Sequence, residues 1–539
     1  MKTLSKLTVA ASLAALAATS GSAQNFGESC GCPPLASRPT VLLEPSASFN
    51  GGRLVPGIVS GGVATHEFDL SVNTLTCDTT WRFNKKIYVP NGKDLVIQPG
   101  TVIKWDDNAG TNANALIVSR GGQIIADGTA SCPIIMTSSA DGLNGAYAVT
   151  NRGKWGGLVI LGRAFNNVRS TDLKDGGPNP STSITGTDGV GLIEGLNAGE
   201  SRNFYGAAVG AEINNDNSGI LRHVSLRHGG ELLGTANEIN GLTMGSVGSG
   251  TIIENIEVTS NFDDAFEWFG GSVNCKYLVA MHCDDDYIDY DQGYTGKIQF
   301  VYGLQGPDHA SGGATQQGDN CIEGDGDDGP GNTAADSDPT IYNVTIIGRA
   351  FGTAPLDGEG LELRREAKGF IGNSIFANLN RGVNLATGAS ANYNTNNTLN
   401  FQNNTFQGAA TPLRIDGAAS AGAFAADLNL SVADASLIDA SFSISPLNTN
   451  TVTGRVNPIP AFGQATTTLS PPVDGFFTNA KYRGAFEPGA PSWLPRYTVA
   501  RAIGSDRSVF TCVGDLNGDG LVNSTDFTTF AGRFGSNCN

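Results

Sequence analysis

Long apolar runs are missing from this chain. The run Leu7 to Ala18 is too short to span a bilayer, and no later stretch approaches the roughly 20 apolar residues that a membrane-crossing helix needs, so no transmembrane segment is expected. Basic residues are scarce. Against 51 Asp and Glu stand 33 Lys and Arg, and a formal charge of −18 lacks the positive footprint that nucleic acid demands. The balance favours cations or neutral partners and predicts no nucleic-acid binding. Charged residues make up only 16 % of a sequence with 72 glycines, which points to many turns between short strands rather than to a helical protein. No Ser/His/Asp or Cys/His nucleophile arrangement stands out. Nor does a cysteine sit where a lipoprotein would be cleaved, because the first two are Cys30 and Cys32.

What is present begins with a targeting signal. Lys2 and Lys6 precede the apolar run, and Gly21-Ser22-Ala23 supplies small residues for cleavage after Ala23. Residues 1–23 therefore read as a signal peptide, and the mature protein as secreted, extracellular or at the cell surface. Export permits disulfides, although nine cysteines leave at least one without an intrachain partner. Proximity suggests Cys30 with Cys32, Cys275 with Cys283, and Cys512 with Cys538; the connectivity stays open.

A repeat organises the middle of the chain. Leu95-Val96-Ile97, Gln98-Pro99-Gly100 and Thr101-Val102-Ile103 read as two apolar strands around a sharp turn, continued by Leu116-Ile117-Val118, Ile124-Ile125-Ala126 and Ile134-Ile135-Met136. Leu116 follows Leu95 by 21 residues, one coil of a three-strand solenoid. Strands this short bury their inward side chains only by stacking coil on coil. The clearest copy sets Asp263-Asp264-Ala265-Phe266-Glu267-Trp268 against Asp285-Asp286-Tyr287-Ile288-Asp289-Tyr290, 22 residues later, with acid on acid and apolar on apolar. It returns as Asp319-Asn320-Cys321-Ile322-Glu323 and more loosely as Gly358-Glu359-Gly360-Leu361-Glu362. Phe266, Ile288 and Ile322 are then expected at equivalent inward positions. Asn255, Asn343, Asn373 and Asn403 fall at equivalent bends, where asparagines can satisfy backbone groups and one another as a ladder. A β-sandwich would need antiparallel hairpins, and the 22-residue register speaks against it.

The segments Ile97 to Lys104, Asp127-Gly128-Thr129, Lys154 to Leu158, Arg227 to Gly230 and Asp263 to Trp268 resemble the right-handed parallel β-helix proteins of bacterial surfaces and secretions, over residues 81–410. The resemblance implies an all-β, right-handed, single-stranded parallel β-helix. Residues 24–80 would precede it as an N-terminal segment and cap. Residues 411–504, Ala-rich around Ala418 to Ala426 and Pro-rich from Pro458 to Pro495, read as an irregular cap and linker.

The last segment, 505–539, carries calcium-ligand spacing. Asp515, Asn517, Asp519, Asn523 and Asp526 place side-chain oxygens at loop positions 1, 3, 5, 9 and 12, with Gly520 at the tight turn and the Leu521 carbonyl available at position 7. Followed by Phe527 to Phe534, the loop resembles one half of a type I dockerin, which implies a calcium loop-helix and a cohesin-like partner. Only one such segment is found where dockerins carry two, so a calcium-stabilised tail is the alternative.

Asp263, Asp264, Glu267, Asp285, Asp286, Asp289 and Glu323 recur on neighbouring coils and should stack in rows about 4.8 Å apart. Such rows are tolerated if they face solvent, share protons or hold a cation, calcium being the natural one outside the cell. Two functions follow. One is a calcium-using protein that presents an elongated face to extracellular polysaccharide or cell-surface material. The other is a polysaccharide hydrolase or lyase working in the acidic groove, since glycoside hydrolysis needs two carboxylates in different protonation states. Gly318-Asp319-Asn320-Cys321 is similar to the Gly-Asp-Asp-Cys segment of polygalacturonases, but Asn320 replaces the second acid and no catalytic assignment is carried over. Arg364 and Arg365 beside Glu359 and Glu362 are the basic pair a lyase would use, with ion pairing as the plainer role. His228 reads as structural, and Trp155, Trp268, Tyr290 and Tyr294 as sugar-stacking or core residues.

Overall fold

The computed structural model describes residues 26–502, with internal segments such as 179–186, 306–319, 328–334, 349–358 and 420–442 left out. Residues 1–23 and the calcium loop with Cys512 and Cys538 lie outside the described residues. Within them, helix is confined to single turns such as Ala389–Ala391 and Val499–Ala502, and the rest of the regular structure is strand.

The strands stack in parallel to form a three-faced β-helix. On the first face, Thr65–Phe68, Lys86–Val89, Ala115–Val118, Gly157–Leu161, Leu242–Gly245, Phe266–Phe269, Ile288–Asp291, Asn320–Asp325, Glu359–Arg364, Arg381–Leu385 and Thr411–Ile415 follow one another. Parallel stacking thus begins upstream of residue 81. The long strands Gly219–Arg227, Ile252–Thr259, Asn274–Met281, Lys297–Leu304 and Thr340–Ile347 each turn a corner, so their first halves extend the second face and their second halves the third.

Inward positions form continuous apolar columns, as a solenoid of short strands requires. Leu242 registers with Phe266, Glu267 with Asp289, and Ile288 with Ile322 and then Leu361. Phe266, Ile288 and Ile322 therefore share one column, and all three are fully buried. Two positions along, Tyr290 registers with Gly324, and a Cβ on Gly324 would meet the Tyr290 ring at 2.3 Å. One coil supplies no side chain so that its neighbour can supply a large one.

The corner between the second and third faces is set by left-handed backbone. Asn255, Asn343, Asn373 and Asn403 all occupy it, at φ of 58°, 59°, 52° and 54°, together with His223, Tyr277 and Phe300. Asparagine tolerates this conformation better than most residues. The side chains of Asn343 and Asn373 do not simply pair with each other, however. Asn343 donates to the Tyr482 carbonyl at 2.9 Å and Asn373 to the Leu469 carbonyl at 3.1 Å. Their partners belong to a C-terminal strap, residues 465–502, that runs over this corner. Gln299 exchanges two 2.8 Å hydrogen bonds with the Thr478 backbone, and the Tyr497 hydroxyl donates to the Asn255 carbonyl at 2.9 Å. Apolar residues of the strap, among them Ala485, Phe486 and Leu494, cover the outward Val279, Met281, Tyr302 and Leu304 of the third face.

The cysteine pairing differs from the sequence expectation. Cys30 bonds Cys132 and Cys32 bonds Cys77, whereas Cys275 and Cys283 are unpaired and buried, as is Cys321. Cys30 and Cys32 face different coils, and Cys275 points into the core. No helix among the described residues is long and apolar enough to cross a membrane.

Candidate functional site

Outward positions of the first face carry the chemistry. In one column Val159, Thr243, Glu267, Asp289, Glu323, Glu362 and Asn384 register in sequence. A second column, three residues earlier on each coil, holds Asn240, Asp264 and Asp286 just before their strands and Asn320 at the first position of its own. The 22-residue step placed Asp263, Asp264, Glu267, Asp285, Asp286 and Asp289 together, and the structure keeps them on adjoining coils with Glu323 one coil further.

Two carboxylate triads result. Asp263, Asp264 and Asp285 form one, and Asp264, Glu267 and Asp289 the other; within each, one oxygen per residue lies within 4.8 Å of the others. Asp264 belongs to both. Its Oδ1 accepts the Asp286 N–H at 2.8 Å, and Asp286 Oδ1 accepts the Asn320 N–H at 2.8 Å, so these two acids also cap the backbone of the next coil. Burial pushes the Asp264 carboxyl well above its ordinary value, reinforced by Asp263, Asp286, Asp289 and Asp285, and burial pushes Asp285 up to about 6 against the pull of Arg364.

Two asparagines extend the acidic columns that the sequence motif outlined. Asn240 and Asn320, each 1 % exposed, donate through Nδ2 to Glu267 and to Glu323, the latter at 3.2 Å. The Oδ1 atom of each is buried without a hydrogen-bond partner. Asn240 stands 24 residues before Asp264, and only the register of Leu242 with Phe266 discloses it. Unpartnered amide oxygens beside carboxylates are hard donors of the kind calcium takes. The donor set fits that ion.

The remaining nominees fall into structural roles. Arg364 pairs with Glu323 and, at 2.9 Å, with Asp325; Arg365 lies 3.4 Å from Asp325. His228 is 5 % exposed, with Nδ1 at 2.6 Å from the Asn151 carbonyl and the Tyr147 ring edge-on to it, and burial depresses it to about 4. Trp155, Trp268, Tyr290 and Tyr294 are fully buried, Trp155 stacked on Trp105 at 5.0 Å and Trp268 on Tyr294 at 5.3 Å, so they are core and not sugar platforms. Asp515, Asn517, Asp519, Leu521, Asn523 and Asp526 lie outside the described residues.

Residues 68–440 match the family model described as pectate-lyase like beta helix domain. No curated protein and no solved structure matches the chain.

Proposed function

The chain belongs to the pectate-lyase-like β-helix family, and from that premise we propose that it is an exported protein which grips acidic polysaccharide through calcium held on the first face. The carrying observation is the pair of triads sharing Asp264. Carboxylates that close repel unless a proton or a cation lies between them. Asp263, Asp264, Asp285, Glu267 and Asp289, with the amide oxygens of Asn240 and Asn320, would hold the ion. Calcium there bridges the protein's acids to the carboxylates of a polymer, joining two anionic partners that would otherwise repel. Export is supported by the signal-like residues 1–23 and by two disulfides. A second calcium is assigned to Asp515, Asn517, Asp519, Leu521, Asn523 and Asp526, and a cohesin-like partner follows from the dockerin resemblance of that segment.

The test is retention on immobilised acidic and neutral polysaccharides in calcium and in chelator, with Asp515→Ala as background so that the tail loop does not contribute. Calcium-dependent retention on acidic polymers, lost in Asp264→Asn, is expected. Equal retention in chelator would overturn the reading. One observation favours a second reading as a hydrolase: burial raises Asp264 well above its ordinary value and Asp285 to about 6, which supplies the protonatable carboxyl that a general acid requires. Release of shortened products, abolished by Asp285→Asn, would establish that reading instead.

A further inference from the structure

Among the described residues, the acidic column is closed at its upstream end. Ile117, Val159 and Thr243 occupy the same column on earlier coils, and all three are fully buried. Glu267, on the next coil, is 6 % exposed, and Asp289, Glu323 and Glu362 beyond it are half-buried. The change comes from an insertion between Gly157–Leu161 and Gly219–Arg227. Val190–Leu192 pairs antiparallel with Phe204–Gly206, and Leu192, Ile193, Phe204 and Tyr205 pack on Ile117, Val159 and Phe269.

This cover is fixed in place. Arg202 lies 3.9 Å over the Tyr88 ring and 2.8 Å from Glu200, while the Tyr88 hydroxyl donates to Asn203 at 2.8 Å. Tyr205 donates to Gln292, three coils on from Gly157–Leu161, and Asn166 ties Gly189 to Ser246 through 2.8 Å hydrogen bonds to both. At the foot of the wall stands Asn240, next to Ile239 of the apolar cluster, with its carboxamide turned onto Glu267 and its Oδ1 without a partner.

We propose that the strip binds a polysaccharide by its chain end, with the 190–206 insertion as the stop. The inference rests on the polysaccharide reading above and adds the class of ligand: termini rather than chain interiors. A polymer laid along the column advances about 4.8 Å per coil, comparable with one hexose, and meets the insertion after Glu267.

The experiment is calorimetric titration of the full chain, in calcium, with oligogalacturonates and alginate oligomers fractionated by length. End recognition predicts one protein bound per oligomer at every length, and loss of binding when one particular terminus is chemically blocked while the other is left intact. A stoichiometry that grows in proportion to length, or binding that survives blocking of either terminus, would overturn it and leave calcium-dependent polysaccharide binding standing. No binding of either series at any length would overturn the polysaccharide reading and the end-recognition inference together.

Discussion

At the level of single residues, the 22-residue acid-and-apolar motif carried most of what could be read in advance. Alternation along a strand decides which side chains turn inward, so aligning Asp263 to Trp268 with Asp285 to Tyr290 also aligned Phe266 with Ile288. Replacing the fully buried Ile288 by Asp would place an uncompensated charge between Phe266 and Ile322. The variant should fail to melt cooperatively, whereas Ile288→Val should cost only about 1 kcal/mol; thermal denaturation followed by circular dichroism separates the two. His282 gave no signal in the sequence. It is 1 % exposed, with neither ring nitrogen hydrogen-bonded, and burial, with Arg152 nearby, depresses it to about 3. Its folded pKa lies below the unfolded value of about 6.5, so the neutral ring contributes stability above that pH and the contribution fades as the pH falls towards 3. At about 1.4 kcal/mol per unit the loss reaches several kcal/mol. His282→Gln should therefore show a shallower fall in melting temperature between pH 6.5 and about 4 than the parent; equal slopes would remove His282 as a source of acid sensitivity.

Among the elements, position was legible and partnership was not. The four asparagines do sit at equivalent bends, yet two of them bind a strap more than 90 residues downstream, as the separations of 139 for Asn343 and 96 for Asn373 record. A column repeats along the sequence and can be found by periodicity; a strap crosses the columns once and leaves no period. The cysteines failed for a related reason. In a solenoid, nearness in space follows coil number, so Cys30 meets Cys132 and not Cys32. Gln299→Ala removes both hydrogen bonds to Thr478. Hydrogen exchange should then rise several-fold in residues 474–485 while Asn274–Met281 keeps its protection, since each lost bond is worth about 1 kcal/mol. Uniform loosening of both regions would mean that strap and coils open as one unit.

For the whole molecule, the ends matter because an open stack of parallel strands exposes edges there. The N-terminal segment is held to the first coils by Cys32–Cys77 and Cys30–Cys132, with sequence separations of 45 and 102. In the loop-entropy treatment closures of that length contribute about 4 to 5 kcal/mol each. Reduction should lower the melting temperature and open the coils before residue 140 first, which proteolysis with mapping of the cut sites would reveal; cuts confined to the C-terminal half would contradict it. The tail supplies the other expectation. Calorimetry of residues 505–539 should show one calcium bound, lost in Asp515→Ala, and an unchanged isotherm would remove those ligands.

The last described residues of the strap dock on the coil of Glu257, whose carboxylate accepts the Val499 and Ala500 N–H groups at 2.6 and 3.3 Å, and not on the last coil. Tension applied at Ala502 is therefore delivered to the middle of the stack. Force spreads through the hydrogen bonds to Gln299, Asn343 and Asn373 in shear, where an end-attached solenoid would unwind one turn at a time.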